Sequence, residues 1–311
     1  MIEAKPEFIK RIEEMLENET QKFLECIRKP LLPSIRVNTL KISEQELKIK
    51  LEKKGWKISK IFENAFVIKS KLLPGELGKS LEHQLGYYYV QELASMLPPL
   101  ILEPKKDDVI LDLCAAPGSK TTEIAAMMEN QGTVIANDVK LERITALNSN
   151  LERCGVTNTI VTRMKGSTLC KKLAKSGFFF DKILVDAPCS GEGIIRSSPE
   201  TLRMWNVNMI KGLSALQKKL VAAAIECLKP NGVLVYSTCT HTPEENEFVI
   251  DFVLKNFDVK LEEIKLPLKT RQGIAEWQNQ KLNDELRKCV RIWPQDNDTE
   301  GFFIAKIRKL K

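Results

Sequence analysis

The chain has 311 residues, 43% of them hydrophobic and 29% charged, with a formal net charge of +7. That length suits two domains at ~150 residues each, and no apolar run approaches the ~18 residues of a bilayer span. The charged start, Met1 to Lys10, lacks an apolar signal core, and the eight cysteines form no CxxC pair; export, a structural zinc site and a disulfide framework are not expected, whereas free thiols in a reducing cytoplasm are.

A charged amphipathic helix is expected over about Pro6 to Arg28, ahead of Lys29-Pro30. Strand Ser34 to Asn38, helix Ser43 to Lys54 and strands around Ile58 and Val67 follow. Residues 1–90 hold 17 Lys and Arg against 13 Asp and Glu, more than half of the net charge. This part reads as a small basic α+β extension, residues 1–92, preceding a larger unit, residues 93–311. Its charge suits a polyanionic partner. Arg36 and Lys41 are candidates for holding phosphates. Tyr87, Tyr88 and Tyr89 read equally as a base-stacking platform or as core.

From Val109 strands and helices alternate. Strand Val109 to Leu113 leads through Ala116-Pro117-Gly118 into a helix from Ser119 to about Met128. Strand Thr133 to Asn137, helix Leu141 to Cys154 and strand Thr159 to Arg163 follow. Then come strand Lys182 to Val185, a helix over Ile210 to Leu228, a turn at Pro230-Asn231-Gly232 and strand Val233 to Tyr236. Thr242-Pro243-Glu244-Glu245 has the residues of a capping box with a first-turn proline, and so opens another helix. Gly301 to Lys306 forms a last strand. This alternation predicts an α/β fold with a parallel, doubly wound sheet, in which ligands bind at the carboxyl ends of the strands.

Two cysteines lie at such ends: Cys189 after Ile183-Leu184-Val185-Asp186-Ala187-Pro188, and Cys239 after Val233-Leu234-Val235-Tyr236-Ser237-Thr238. A thiol at a strand end, beside a polar loop, is placed for chemistry on a soft electrophile. Each also reads as a packed core cysteine, as do Cys154, Cys170 and Cys227. The loop Asp112-Leu113-Cys114-Ala115-Ala116-Pro117-Gly118-Ser119-Lys120-Thr121 has small residues that admit a ligand to the backbone, and a helix start with free amides. It lacks GxGxxG and the early glycine of a P-loop. A nucleoside-type cofactor without pyrophosphate, such as S-adenosylmethionine (AdoMet), is the third reading. Asp138, ending the second strand of this series, suits a ribose acceptor or a helix N-cap.

These residues resemble the Sun/Nop (NSUN-type) RNA cytosine-5 methyltransferases. The likeness lies in the segment Asp112 to Thr121, in Asp186-Ala187-Pro188-Cys189-Ser190-Gly191 and in Ser237-Thr238-Cys239. It extends to Arg36-Val37-Asn38-Thr39-Leu40, Tyr89-Val90-Gln91-Glu92, Glu244-Glu245-Asn246 and Gly301 to Lys306, spanning roughly residues 34 to 309. The resemblance implies a Rossmann-type class I methyltransferase with an RNA-recognition-like N-terminal extension. It implies an AdoMet site lined by Cys114, Ala115, Ala116, Pro117, Gly118, Ser119, Lys120, Asp138, Arg143 and Asp186. By the same carry-over Cys239 is the nucleophile, Cys189 assists product release, and Lys120 and Asp186 touch the target base. One departure stands out: the family's acid before a glycine after the third strand, which meets the adenine amine, is replaced here by Lys165-Gly166.

The chemistry implied explains the residue types. Carbon 5 of cytosine is too weak a nucleophile until a thiolate adds to carbon 6; the thiol must then be eliminated. Asp186, if protonated in an apolar pocket, would donate to ring nitrogen 3, and Lys120 would stabilise charge. The base must be unpaired or flipped out. His241, two residues from Cys239, reads more simply as a loop or cap residue, and Trp205 and Trp293 as packing. The expected activity is RNA cytosine-5 methylation, with tRNA favoured over rRNA as partner, no metal, no membrane and no obligate protein partner. A protein or small-molecule methyltransferase, and an RNA-binding factor with a weakened cofactor site, are the alternatives.

Overall fold

The computed structural model describes residues 4–311. The chain opens with a helical hairpin, α1 (Pro6–Leu16) and α2 (Thr20–Ile27), where one helix to Arg28 was expected. The polar run from Glu17 breaks it: Glu17 has φ +47° and Glu17–Glu19 forms a 3-10 turn. Phe8, Ile12 and Leu16 line one face of α1. They join Phe23, Ile195, Leu202, Trp205, Ile210 and Trp293 in one apolar cluster. Both tryptophans are therefore packing residues, as expected.

β1 (Ser34–Val37), α3 (Glu44–Lys53), β2 (Ile58–Phe62), β3 (Ala65–Ile68) and β4 (Tyr88–Val90) build an antiparallel sheet in the order β2-β3-β1-β4. A Ser43/Glu46 capping box starts α3, whose Leu47 and Leu51 pack with Ile35, Val37, Phe66 and Tyr88. Tyr88 and Tyr89 are buried, so neither is a base-stacking platform. The Arg36 and Arg153 guanidinium groups lie 5.5 and 5.4 Å from the Tyr89 ring.

Arg36 is not a phosphate ligand either. It is 4% exposed. Its Nη1 donates to Gln91 Oε1 at 2.6 Å and Glu123 Oε2 at 3.0 Å, and its Nη2 to Thr122 Oγ1 at 2.8 Å. A charge is retained inside because it is paired and hydrogen-bonded, and it ties β1 to the helix behind the cofactor loop. Lys41 Nζ likewise bonds the carbonyls of Leu85 and Arg153. Lys41 is nevertheless exposed, as are Lys48, Lys50, Lys53, Lys57, Lys69 and Lys71 among others in this region.

β5 (Val109–Asp112), β6 (Thr133–Asp138), β7 (Thr159–Arg163), β8 (Phe180–Asp186) and β9 (Leu228–Thr238) are parallel, in the order β7-β6-β5-β8-β9. This is the expected doubly wound sheet, with the strand order reversing at β5. The sheet is not parallel throughout. Phe302–Lys309 pairs antiparallel with β9, followed by Val290–Ile292 and Arg271–Gln272, and Val259–Glu262 also pairs with Phe302–Lys309, giving nine strands. Burial on both faces is why the central strands read as continuous apolar runs. Helix Leu141–Cys154 buries Ile144, Leu147, Leu151 and Cys154, and stops at Gly155, φ +73°.

Three local readings are corrected. A helix, Gly166–Lys175, fills the gap between β7 and β8. The Pro230-Asn231-Gly232 turn is a bulged stretch inside β9, with a register shift opposite Phe180–Lys182. The capping box at Thr242 does not form. Pro243–Glu245 is a 3-10 turn before helix Glu247–Asn256, and Glu245 turns inward to the Ser190 amide. Among the described residues no helix is long and apolar enough to cross a membrane.

Candidate active site

β8 and β9 pair with Asp186 opposite Ser237. The two strands therefore end level, and the loops beyond them run side by side. Cys189, three residues past Asp186, meets Cys239, two past Ser237. Their sulfurs are 3.3 Å apart, both are reduced, and both are half-exposed. The bond with Cys239, then burial, pushes the Cys189 thiol well above its ordinary value, with the charge of Glu245 acting in the same direction. Either sulfur can donate in this contact.

Lys120 lies on the first turn of helix Ser119–Met127. Its Nζ is 2.7 Å from Asp186 Oδ2 and 3.0 Å from Ser95 Oγ, and 5.4 Å from the centre of the Phe302 ring. Burial opposes its charge, but Asp186 outweighs it and holds Lys120 above the usual lysine range, with Cys239 among the negative neighbours that contribute. Asp186 Oδ1 accepts from Ser237 Oγ at 2.7 Å. With both oxygens accepting, Asp186 is arranged as a carboxylate here, rather than as the protonated donor considered from sequence.

The cofactor loop crosses the carboxyl end of β5, where the strand order reverses. Gly118 has φ +102°, a left-handed conformation that favours glycine, and a Cβ there would also press on Leu147 Cδ1 at 2.9 Å. Ala115 and Ala116 are buried, and Pro117 follows Ala116 in a cis peptide. Asp138 Oδ1 accepts from the Val139 and Lys140 amides, and Oδ2 is 3.2 Å from Arg143 Nη1. The N-cap of helix Leu141–Cys154 is Lys140, so Asp138 does not cap it. Arg143 Nη2 also donates to the Ala116 carbonyl, closing this side of the loop. Burial raises the Cys114 thiol, and Asp112, Asp186 and Asp138 add to it, which places all three acids around one loop.

These residues fit a nucleoside cofactor bearing an amino acid. Asp112 is buried, accepts from Thr121 Oγ1 at 2.7 Å, and has an Oδ1 without a partner among the described residues. Burial pushes it up to about 7. A stranded buried acceptor beside a helix start suits a ligand that carries a donor and an anion. Asp138 retains acceptor capacity on Oδ2. Lys165 is exposed, directly after β7, and its carbonyl accepts from the Thr168 and Leu169 amides.

His241 takes no part in proton transfer. It is buried, stacked on Trp293 with ring centres 4.2 Å apart, and burial pushes it down to about 3. Arg11 Nη2 holds the neighbouring Thr242 Oγ1 at 2.6 Å, so α1 and α2 brace the loop that follows Cys239. Sequence reasoning missed Ser95, Ser237 and Phe302 around Lys120 and Asp186. Ser237 alone had a signal, being two residues before Cys239 at a strand end. Among the described residues there is no cluster of metal-ligating side chains.

Comparison with known proteins points the same way. Residues 99–308 match the family model described as 16S rRNA methyltransferase RsmB/F, and residues 5–93 match that of the N-terminal domain of 16S rRNA methyltransferase RsmF. A tRNA (cytosine(49)-C(5))-methyltransferase of Pyrococcus abyssi is 47% identical over 298 residues, covering 94% of this chain and 93% of the relative. Ribosomal RNA small subunit methyltransferase F of Vibrio atlanticus is 39% identical over 310 residues, covering 98% of this chain; the chain spans 63% of that relative's length. The crystal structure of NSun6 from Pyrococcus horikoshii with SFG superposes with a TM-score of 0.85 at 28% identity, covering 99% of this chain and 98% of that one.

Proposed function

The chain belongs to the 16S rRNA methyltransferase RsmB/F family, and on that premise we propose that it methylates tRNA at carbon 5 of a cytosine, with Cys239 as the attacking thiol and Cys189 as the releasing one. It is an AdoMet-dependent RNA cytosine-5 methyltransferase. The observation that supports the division of labour is the pair of partly buried sulfurs 3.3 Å apart, Cys239 one residue past β9 and Cys189 three residues past β8, next to the charged Lys120.

Bound AdoMet supplies an electrophilic methyl on its sulfonium. The loop from Cys114 to Lys120, with Asp138 and Arg143, is proposed to hold it, the Asp112 Oδ1 taking a donor. Cys239 forms a bond to carbon 6 of the base, which makes carbon 5 nucleophilic. Lys120 sits where negative charge develops on the ring and stabilises it. Asp186 holds Lys120 in place and offers an acceptor to the base. After methylation Cys189, its own proton passed to solvent, takes the carbon 5 proton, the 5,6 double bond re-forms, and the Cys239 sulfur is expelled as thiolate.

The choice of tRNA rests on similarity: the P. abyssi tRNA enzyme is 47% identical over 298 residues, against 39% over 310 for the V. atlanticus rRNA enzyme. The exposed lysines of the N-terminal region, residues 1–92 in our division, supply phosphate contacts. Transfer of labelled methyl to tRNA transcripts is expected to exceed transfer to small-subunit rRNA by at least about tenfold in kcat/KM, a discrimination within reach of differential binding. Bisulfite sequencing of the products locates the cytosine. Methylation of rRNA alone would overturn the tRNA reading and leave the chemistry standing.

Lys165 offers a cation where an acceptor for the adenine amine is expected. Lys165→Asp is expected to tighten AdoMet binding by about three- to tenfold in isothermal titration, since a single hydrogen bond to a charged acceptor is worth ~1.5–3 kcal/mol before desolvation. Unchanged affinity would mean that the adenine is held by backbone groups at that edge.

A further inference from the structure

Cys189 lies beyond the end of β8, so strand pairing does not fix its position. A buried layer beneath it does. Glu245 Oε2 accepts from the Ser190 amide at 3.0 Å and from Gln217 Nε2 at 2.7 Å. The same Gln217 Nε2 donates to the Pro188 carbonyl at 2.9 Å. One Glu–Gln pair therefore grips the peptide groups on both sides of Cys189. A third tie, Ser190 Oγ to Thr240 Oγ1 at 2.8 Å, joins the residue after Cys189 to the residue after Cys239.

Gln217 comes from helix Val207–Glu226 and Glu245 from the 3-10 turn after β9, so two separate elements converge on this loop. The Tyr236 hydroxyl donates to the Glu245 carbonyl at 2.5 Å and fixes the turn. Both side chains are fully buried, and Glu245 Oε1 and Gln217 Oε1 have no partner among the described residues. A half-satisfied carboxyl in the interior is destabilising, and an apolar pair would fill the same space at lower cost. Burial pushes Glu245 up to about 7. The sacrifice in stability is understandable if the geometry it enforces is needed by the reaction.

We infer that Glu245 and Gln217 are positioning residues that set the releasing thiol against Cys239, and that they act on product release and not on attack. The inference rests on the reading of Cys189 given above. Cys239 lies one residue past the end of β9 and is held mainly by that strand, whereas Cys189 lies three residues past the end of β8 and leans on the clamp. A misplacement of about 1 Å at a reacting group costs on the order of 10²-fold in rate.

The test is single-turnover methylation of tRNA by the full chain, with covalent and released RNA separated on a denaturing gel. Gln217→Leu and Glu245→Leu are expected to slow release at least tenfold and accumulate the Cys239-linked adduct, with its formation rate within threefold of the parent. Glu245→Gln, which keeps an acceptor for the Ser190 amide, is expected to restore most of the release. Should a leucine variant fail to fold, Thr240→Val and Ser190→Ala remove the third tie with little change in volume and are expected to act in the same direction. Release at the parental rate in these variants, with Cys189→Ala still trapping adduct, overturns the clamp alone. Absence of adduct in Cys189→Ala overturns the assignment of Cys189 and the clamp with it.

Discussion

Replacing Cys239 by alanine is expected to lower methyl transfer by at least about 10³-fold, the scale seen when a covalent nucleophile is removed. RNA binding should stay within about twofold, because phosphate contacts supply most of the affinity. Transfer from labelled AdoMet and a gel-shift titration measure the two separately. The neighbouring thiol does not step in. The bond from Cys239 that raises Cys189 is lost in this variant, but burial and the charge of Glu245 remain. Cys189 is then easier to deprotonate, but its sulfur lies 3.3 Å from where the nucleophile was, too far to attack carbon 6 of a base seated for Cys239. Full turnover by Cys239→Ala would exchange the roles of the two sulfurs.

Cys189→Ala is expected to do something different: to form the carbon 6 adduct at a near-parental rate and to release it ~10²- to 10⁴-fold more slowly, the range for loss of a general base. The RNA should run as a shifted band on a denaturing gel, dependent on AdoMet and absent from the double variant with Cys239→Ala. The electrostatics of the pair support this sequence of events. The first cause of the raised Cys189 thiol is its hydrogen bond with Cys239. Once Cys239 is bonded to carbon 6 it is no longer an anionic partner, and that cause disappears. Cys189 becomes easier to deprotonate at the step that needs a base. No shifted band under methylating conditions would remove Cys189 from the release step.

The ion pair of Lys120 with Asp186 performs a second function at the same edge. An isolated buried ammonium would shed its proton; beside Asp186 it keeps it. Ser237, one strand pair away, occupies the other Asp186 oxygen. The group that stabilises charge on the base is thus pre-organised before substrate arrives, which is where electrostatic catalysis gains most. The helical hairpin at the chain start has a comparable effect on the other side. Arg11, Phe23 and the His241–Trp293 stack hold the loop after Cys239.

Periodicity and local motifs alone determined the doubly wound core, the cofactor loop, and the placing of Asp138, Asp186, Cys189 and Cys239 at or just past strand ends, whereas Arg143 came only through the family resemblance. Those features are local: an apolar run, a helix stop such as Gly155, a glycine at positive φ. Tertiary structure decided whatever depended on which distant residue stood opposite. Arg36 looked like a phosphate ligand because a sequence shows charge without its partner, and Glu123 and Gln91 turned out to be its partners. Glu245 looked like half of a capping box for the same reason, until Ser190 and Gln217 claimed it. The separation of the two thiols belongs to this second class. Each lies just past the end of its own strand, 50 residues apart in the chain, and the register of β8 on β9 together with the Glu245–Gln217 layer brings them to 3.3 Å.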